Sequence, residues 1–403
     1  MKNIFILSFL FLFFSCGLHT EKKSFINKNL LSVKLSNKSF TDNIFFTENN
    51  DLIFIPVEIS GKTYNFMFDT GALTTISESL NNELKLDKIK SKFNFGISDG
   101  IGEDREKSLY KLEKLKIGTQ TFTNIGVIVQ DLSNLRNRCV KIDGILGANI
   151  LRSCYWKIDY INKKISFSDE KSFLEINNPN IRISFKENDS GSPIINMVFG
   201  EYSFNALWDT GFNSGIQIPD SLFFKSYKQK ITPKIHGTSL SIATIFQKGI
   251  NKINRYNIVA DSLYLDDFLL KEQLLTVGPL KTPLIGNKFI KQADEVFLDW
   301  NTHQIALKNK PNLINQETFG FLPFKLQDSV VIVSIWDDSQ AKKNGLNVGD
   351  TILAINNQNV NKINKETWCD YFNEIQSQNE MKIEVKSNNS KKSYTFKKYN
   401  FFN

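Results

Sequence analysis

The segment Phe66-Met67-Phe68-Asp69-Thr70-Gly71-Ala72 is an apolar strand that runs into a carboxylate, a hydroxyl and a glycine. It returns as Ala206-Leu207-Trp208-Asp209-Thr210-Gly211-Phe212, 140 residues on (209 − 69). One Asp-Thr-Gly is weak evidence, because most such triplets are ordinary turns. Two of them, each closing a hydrophobic strand, point to a shared purpose. A carboxylate at a strand end, with glycine permitting a tight turn behind it, projects into a cleft while the backbone holds it still. Two such carboxylates brought together could share one proton and split a water.

The repetition reaches well beyond the triplet. Asp143-Gly144-Ile145-Leu146-Gly147-Ala148-Asn149 is answered by Thr282-Pro283-Leu284-Ile285-Gly286-Asn287-Lys288, and the strand pair over 156–167 by that over 296–307. Gly147 and Gly286 stand 139 residues apart, Asp159 and Asp299 140, so three separated landmarks share one spacing and the chain carries an internal duplication. Each copy delivers its aspartate through a hairpin: strands over 52–59 and 64–68 around Ser60-Gly61-Lys62, and strands over 194–199 and 202–208 around Gly200-Glu201.

These two Asp-Thr-Gly strands, each followed by a hydrophobic-hydrophobic-Gly segment and a short helix, resemble the aspartic proteases, above all the retropepsin-like lobe, over about residues 45–310. The resemblance implies a mainly β fold, with two duplicated lobes forming a pepsin-like bilobal unit in one chain. It implies that Asp69 and Asp209 meet at the lobe interface, supported by Thr70, Gly71, Thr210 and Gly211, and hydrolyse peptide bonds with an activated water and no cofactor or metal. Glycine-containing flaps over the cleft are expected around Gly96, Ile97 and Gly100 in the first lobe and around His236 and Gly237 in the second. Phe212 departs from the small residue the family places after the triplet, where the first copy has Ala72. A non-catalytic peptide-binding scaffold of the same fold is the alternative reading.

After residue 318 the sequence changes character. A strand over 330–335 precedes Ser339-Gln340-Ala341, Gly345-Leu346 and Gly349-Asp350-Thr351-Ile352, which together resemble a PDZ domain (α+β) over about 319–400. The resemblance implies a peptide added as a strand, with Gly320 and Phe321 in the carboxylate loop and Trp368 lining the groove. Trp368, Phe372 and Ile375, at i, i+4 and i+7, make one apolar face of a helix over 365–376.

The expected organisation is a signal peptide over 1–16, a tether over 17–44, lobes over 45–176 and 177–310, and the PDZ domain over 319–400. Residues 4–14 form an apolar run followed by Ser15-Cys16-Gly17, which resembles a bacterial lipoprotein processing site. Cys16 is then the lipidated residue, and the protein is anchored to a membrane of the cell envelope, facing the periplasm or the exterior. Peptides or proteins are the expected substrates, with a possible peptide ligand for the PDZ domain and a monomeric catalytic unit, since one chain already holds both half-sites.

The net charge of +8 comes from scattered lysines, and the one dense stretch, Lys391-Lys392 to Lys397-Lys398, reads as a solvated strand face rather than a nucleic-acid site. With only His19, His236 and His303, and no Gly-x-Ser-x-Gly, serine-triad chemistry lacks its residues. Cys139 and Cys154 flank the Gly144–Gly147 segment and are either bridged or two buried thiols.

Overall fold

The computed structural model describes residues 21–91, 93, 95–98, 104–133, 140–226, 235–240, 252–311, 317–326, 328–387 and 390–400. The signal segment with Cys16, and also Gly100 and Cys139, lie outside these residues.

Strand Lys62–Phe68 explains why the Asp69 segment is so uniformly apolar. It pairs antiparallel with Leu52–Ile59 and parallel with Gly144–Leu146. Both of its faces are covered. Phe66 and Phe68 point into the main core, whereas Met67 points into a smaller cluster with Leu52, Phe54 and Ile145. A strand buried on both sides loses the alternation of polar and apolar residues. In the second lobe, Tyr202–Asp209 sits between Pro193–Phe199 and Leu284–Gly286 in the same way. The molecule is mainly β, with two β lobes in a bilobal arrangement and a smaller C-terminal domain.

The lobes are joined by a six-stranded sheet ordered Ile181–Ser184, Gln304–Lys308, Glu295–Asp299, Tyr155–Asp159, Lys164–Ser168, Thr41–Phe45. Its centre pairs the two copies of the repeat, with Trp156 opposite Leu298 and Ile158 opposite Val296. The matched aspartates fix the hairpin turns: Asp159 accepts from Asn162 N at 2.9 Å, and Asp299 accepts from Thr302 N at 2.9 Å. Trp156 is fully buried, stacks on Phe167 at 4.8 Å and meets Phe68 edge-on at 5.5 Å, so the sheet supports the Asp69 strand from below. Each such large side chain contributes roughly 1.5–3 kcal/mol by its burial.

The stretch read as a tether is folded in its described part. Residues 21–29 are helical, Ile26 and Leu30 are buried against Leu109 and Ile128, and Thr41–Phe45 pairs with Lys164–Ser168. Its polar composition hid the few apolar side chains that dock it. Among the described residues no helix is long and apolar enough to cross a membrane.

The C-terminal domain has its own core, separate from that of the lobes. Helix Lys365–Ser377 begins at Asn364, whose side chain accepts from Thr367 N at 2.8 Å. Trp368 and Ile375 are buried, and Phe372 packs beside them. Cys154 is a free, buried thiol, which rules out the bridge to Cys139; burial pushes it up to about 12.

Candidate active site

Each Asp-Thr-Gly turn leaves the end of a strand, buried over residues 66–68 in the first lobe and half-buried in the second, and meets the other at the lobe interface. The two threonines interlock. Thr70 Oγ1 donates to Trp208 O at 2.7 Å and accepts from Thr210 N at 3.1 Å. Thr210 Oγ1 donates to Phe68 O at 2.9 Å and accepts from Thr70 N at 3.0 Å. Both threonines are fully buried. Each hydroxyl therefore satisfies a carbonyl and an amide of the opposite lobe, groups that would otherwise be buried unpaired at a cost of about 1–3 kcal/mol each.

Within each turn the glycine amide holds its own aspartate: Gly71 N donates to Asp69 Oδ1 at 2.7 Å, and Gly211 N to Asp209 Oδ1 at 2.9 Å. The same glycines pass under the opposite carboxylate. A Cβ on Gly71 would lie 2.6 Å from Asp209 Cγ, and one on Gly211 would overlap the Asp69 carboxyl. Glycine is required here for close approach, not for an unusual backbone angle. Behind the turns, Ala148 N donates to Ala72 O and Asn287 N to Phe212 O, at 2.8 and 2.7 Å.

Phe212 leaves this geometry intact. Its carbonyl makes the bond that Ala72 makes in the first lobe, and its ring lies over Gly286, where the missing side chain leaves room. The lobes differ one shell further out. Buried Asn149 accepts from Thr74 N and Oγ1, at 2.8 and 2.7 Å, and donates to Gly126 O within its own lobe. Asn287, on the matching short helix, instead donates across to Asp51 O at 2.7 Å and accepts from Tyr160 of the first lobe. Sequence reasoning passed over both asparagines; their place within two residues after the hydrophobic-hydrophobic-Gly segment was the available signal.

Asp69 is 7% exposed and faces Asp209 across the interface, each carboxylate lying against the glycine of the other's turn. Burial pushes Asp69 up to about 6, against the pull of the Gly71 and Ala72 amides. Asp209 is held well above the carboxylate range, first by burial and then by the charge of Asp69 beside it. Two neighbouring carboxyls with restricted access to water cannot both ionise cheaply, which is why both are raised. Among the described residues no group of His, Cys, Asp and Glu could hold a metal.

The first-lobe flap candidates Gly96 and Ile97 lie in strand Phe95–Ser98, which pairs with Asp104–Lys107 as a two-stranded hairpin. His236 and Gly237 lie in strand Ile235–Leu240, paired with the start of Lys252–Leu265. Gly320 has a φ of +83° and packs against Ser339, and its carbonyl accepts from Trp336 N at 3.0 Å. Phe321 and Trp368 are both buried, 4% and 3% exposed, as members of the C-terminal core. Trp368, expected to line a groove, is thus a core residue.

Two β lobes in one chain, each bringing an Asp-Thr-Gly turn to a common interface, define the bilobal aspartic-protease fold. Residues 55–150 match the family model described as aspartyl protease, and residues 309–386 match that of the PDZ domain, so the chain carries a retropepsin-like aspartyl protease domain and a C-terminal PDZ domain. Among solved structures it is similar to a retropepsin-like aspartic protease from Rickettsia conorii, at 19% identity, covering 34% of this chain and 92% of that one with a TM-score of 0.24. It is also similar to an aspartic proteinase from Irpex lacteus (11% identity, 67% and 98% covered, TM-score 0.37) and to Basic 7S globulin from soybean (10% identity, 67% and 97% covered, TM-score 0.34). No curated protein matches the chain.

Proposed function

We propose that this protein is a single-chain aspartic endopeptidase in which Asp69 and Asp209 share one proton and hydrolyse peptide bonds with a water held between them. The ionised carboxylate takes a proton from the water as its oxygen attacks the scissile carbonyl. The protonated carboxyl donates to the carbonyl oxygen, and no covalent acyl-enzyme forms. The gem-diol then collapses as the leaving nitrogen takes up a proton. The observation that supports this reading is the reciprocal Thr70–Thr210 lock, which ties together the two turns that carry Asp69 and Asp209.

The same proposal tethers the enzyme through Cys16 on the envelope side of a membrane, on the strength of the apolar run over 4–14 and the Ser15-Cys16-Gly17 that follows. Its substrates are peptides or unfolded segments of proteins, and both half-sites come from one chain.

Replacing Asp69 or Asp209 with Asn is expected to lower cleavage of a casein-like substrate by roughly 10³-fold, with cooperative unfolding retained. Mixing the two variants should restore nothing. Normal turnover by either variant would overturn the mechanism; recovery on mixing would overturn the single-chain unit.

A further inference from the structure

The hairpins of the two lobes are built differently at their outer edge. In the first lobe, Phe95–Ser98 and Asp104–Lys107 form a sheet of two strands. In the second, Ile235–Leu240 pairs on one side with Lys252–Leu265 and on the other with Ser329–Trp336 of the PDZ domain. The partners across that second edge are Gly237 with Trp336, Thr238 with Ile335 and Ser239 with Ser334. The ladder is continuous from the catalytic strand Tyr202–Asp209 through Leu284–Gly286, Ile216–Pro219, Phe268–Gly278, Lys252–Leu265 and Ile235–Leu240 into the PDZ domain.

Side chains are fitted to this junction. A Cβ on Gly237 would run into the Trp336 ring and the Ile335 carbonyl, so glycine stands there because the indole lies against its backbone. Ser239, 2% exposed, shares a hydrogen bond with Ser334 at 2.8 Å between the two hydroxyls. The junction lies on the far side of Ser329–Trp336 from strand Phe321–Leu326, so among the described residues no strand pairs with the outer edge of Phe321–Leu326. That outer edge is a poor receiver of a strand. Ile332, opposite Pro323, spends its own N–H and C=O on Asp350 and Gly349, which turns the Pro323 backbone toward the open edge, where proline has no N–H to donate.

We propose that the PDZ domain is a fixed clamp on the second lobe's hairpin, with Trp336 and Ser334 as positioning residues that set how that lobe holds its peptide substrate. The proposal rests on the protease reading for its kinetic consequence but not for the clamp itself. Strand pairing, the chemistry by which this domain type recognises peptides, is here directed to a segment of the same chain. Loosening the junction frees the hairpin, weakens substrate binding and leaves the dyad untouched.

The test uses the full mature chain. In Trp336→Ala, and independently in Gly237→Ala, amides 237–239 should exchange with solvent about ten-fold faster or more than in the wild type. KM for a short peptide should rise several-fold, with kcat changed less than about two-fold. A Ser239→Cys/Ser334→Cys variant, oxidised to a crosslink, should keep wild-type KM and lose its sensitivity to Trp336→Ala. Unchanged exchange at 237–239 in both single variants overturns the clamp, and faster exchange with unchanged KM overturns its role in substrate binding. If the wild type cleaves nothing, the protease reading fails, and exchange alone decides the clamp.

Discussion

The two lobes are nearly superposable in their chemistry at the floor of the cleft and unlike at its outer hairpins. At the floor, the threonine lock, the glycine amides and the close approach under the opposite carboxylate occur twice with distances that agree to within a few tenths of an ångström. At the hairpins, among the described residues, one lobe has a sheet of two strands and the other has a third strand borrowed from a different domain. The spacing of the repeat records the same break. The long strands Gln120–Gln130 and Phe268–Gly278 start 148 residues apart (268 − 120), whereas the flanking landmarks keep 140 or 139. The second copy is therefore eight residues longer between its hairpin's first strand and this point. Atoms that must meet the opposite lobe are tied to symmetry, and the periphery is free to diverge.

The floor comparison is broken most severely by adding one carbon. Gly71→Ala and Gly211→Ala each push a methyl into the other lobe's aspartate, and each should cost about 10²-fold or more in kcat. Steady-state kinetics on both variants decides the matter; near-normal turnover in one of them would mean that the two turns are not equivalent. The threonine lock offers a smaller but cleaner comparison. Thr70→Val and Thr210→Val should each lower unfolding stability by about 3 kcal/mol, because each strands a buried amide and a buried carbonyl of the opposite lobe. The double variant should lose less than the sum, since the two hydroxyls belong to one network. Denaturant titrations of the three proteins measure this, and strict additivity would contradict the coupling.

The mildest effect concerns pH. A carboxyl whose folded value is raised keeps a proton that the unfolded chain has already released, so its contribution to stability is most favourable below about pH 4 and is lost as pH rises through about 6 for Asp69. Asp69→Asn removes that penalty. Relative to the wild type, the variant should be more stable at pH 7 than at pH 4 by on the order of 2 kcal/mol. The same sign is expected for Asp209→Asn. Parallel stability curves across this range would show that the dyad is not desolvated as described.

Much of the floor was legible because its signals are local and repeated. The strand over 52–59, the strands over 64–68 and 202–208 that run into the two aspartates, and the hydrophobic-hydrophobic-Gly segments could each be read from neighbouring residues, and the duplication extended the reading to a second lobe that the aspartyl protease match over 55–150 does not reach. The apolar face of Trp368, Phe372 and Ile375 was equally plain, although Trp368 serves the core. What escaped was pairing between distant, similar strands. Tyr155–Asp159 beside Glu295–Asp299 and Ile235–Leu240 beside Ser329–Trp336 are joined through backbone groups that every residue carries, so no side-chain pattern announces them. The docked helix over 21–29 was missed because two buried residues among many polar ones give too little periodicity.

The junction between Ile235–Leu240 and Ser329–Trp336 also orders events in time. A chain made from its N-terminus completes both Asp-Thr-Gly turns when Gly211 is joined, yet Trp336 is still 125 residues away (336 − 211). Both halves of the dyad thus exist well before the strand that steadies the second hairpin. A chain that ends between Gln304–Lys308, the second lobe's last strand, and Ser329 would contain both turns without the strand that pairs with the second hairpin.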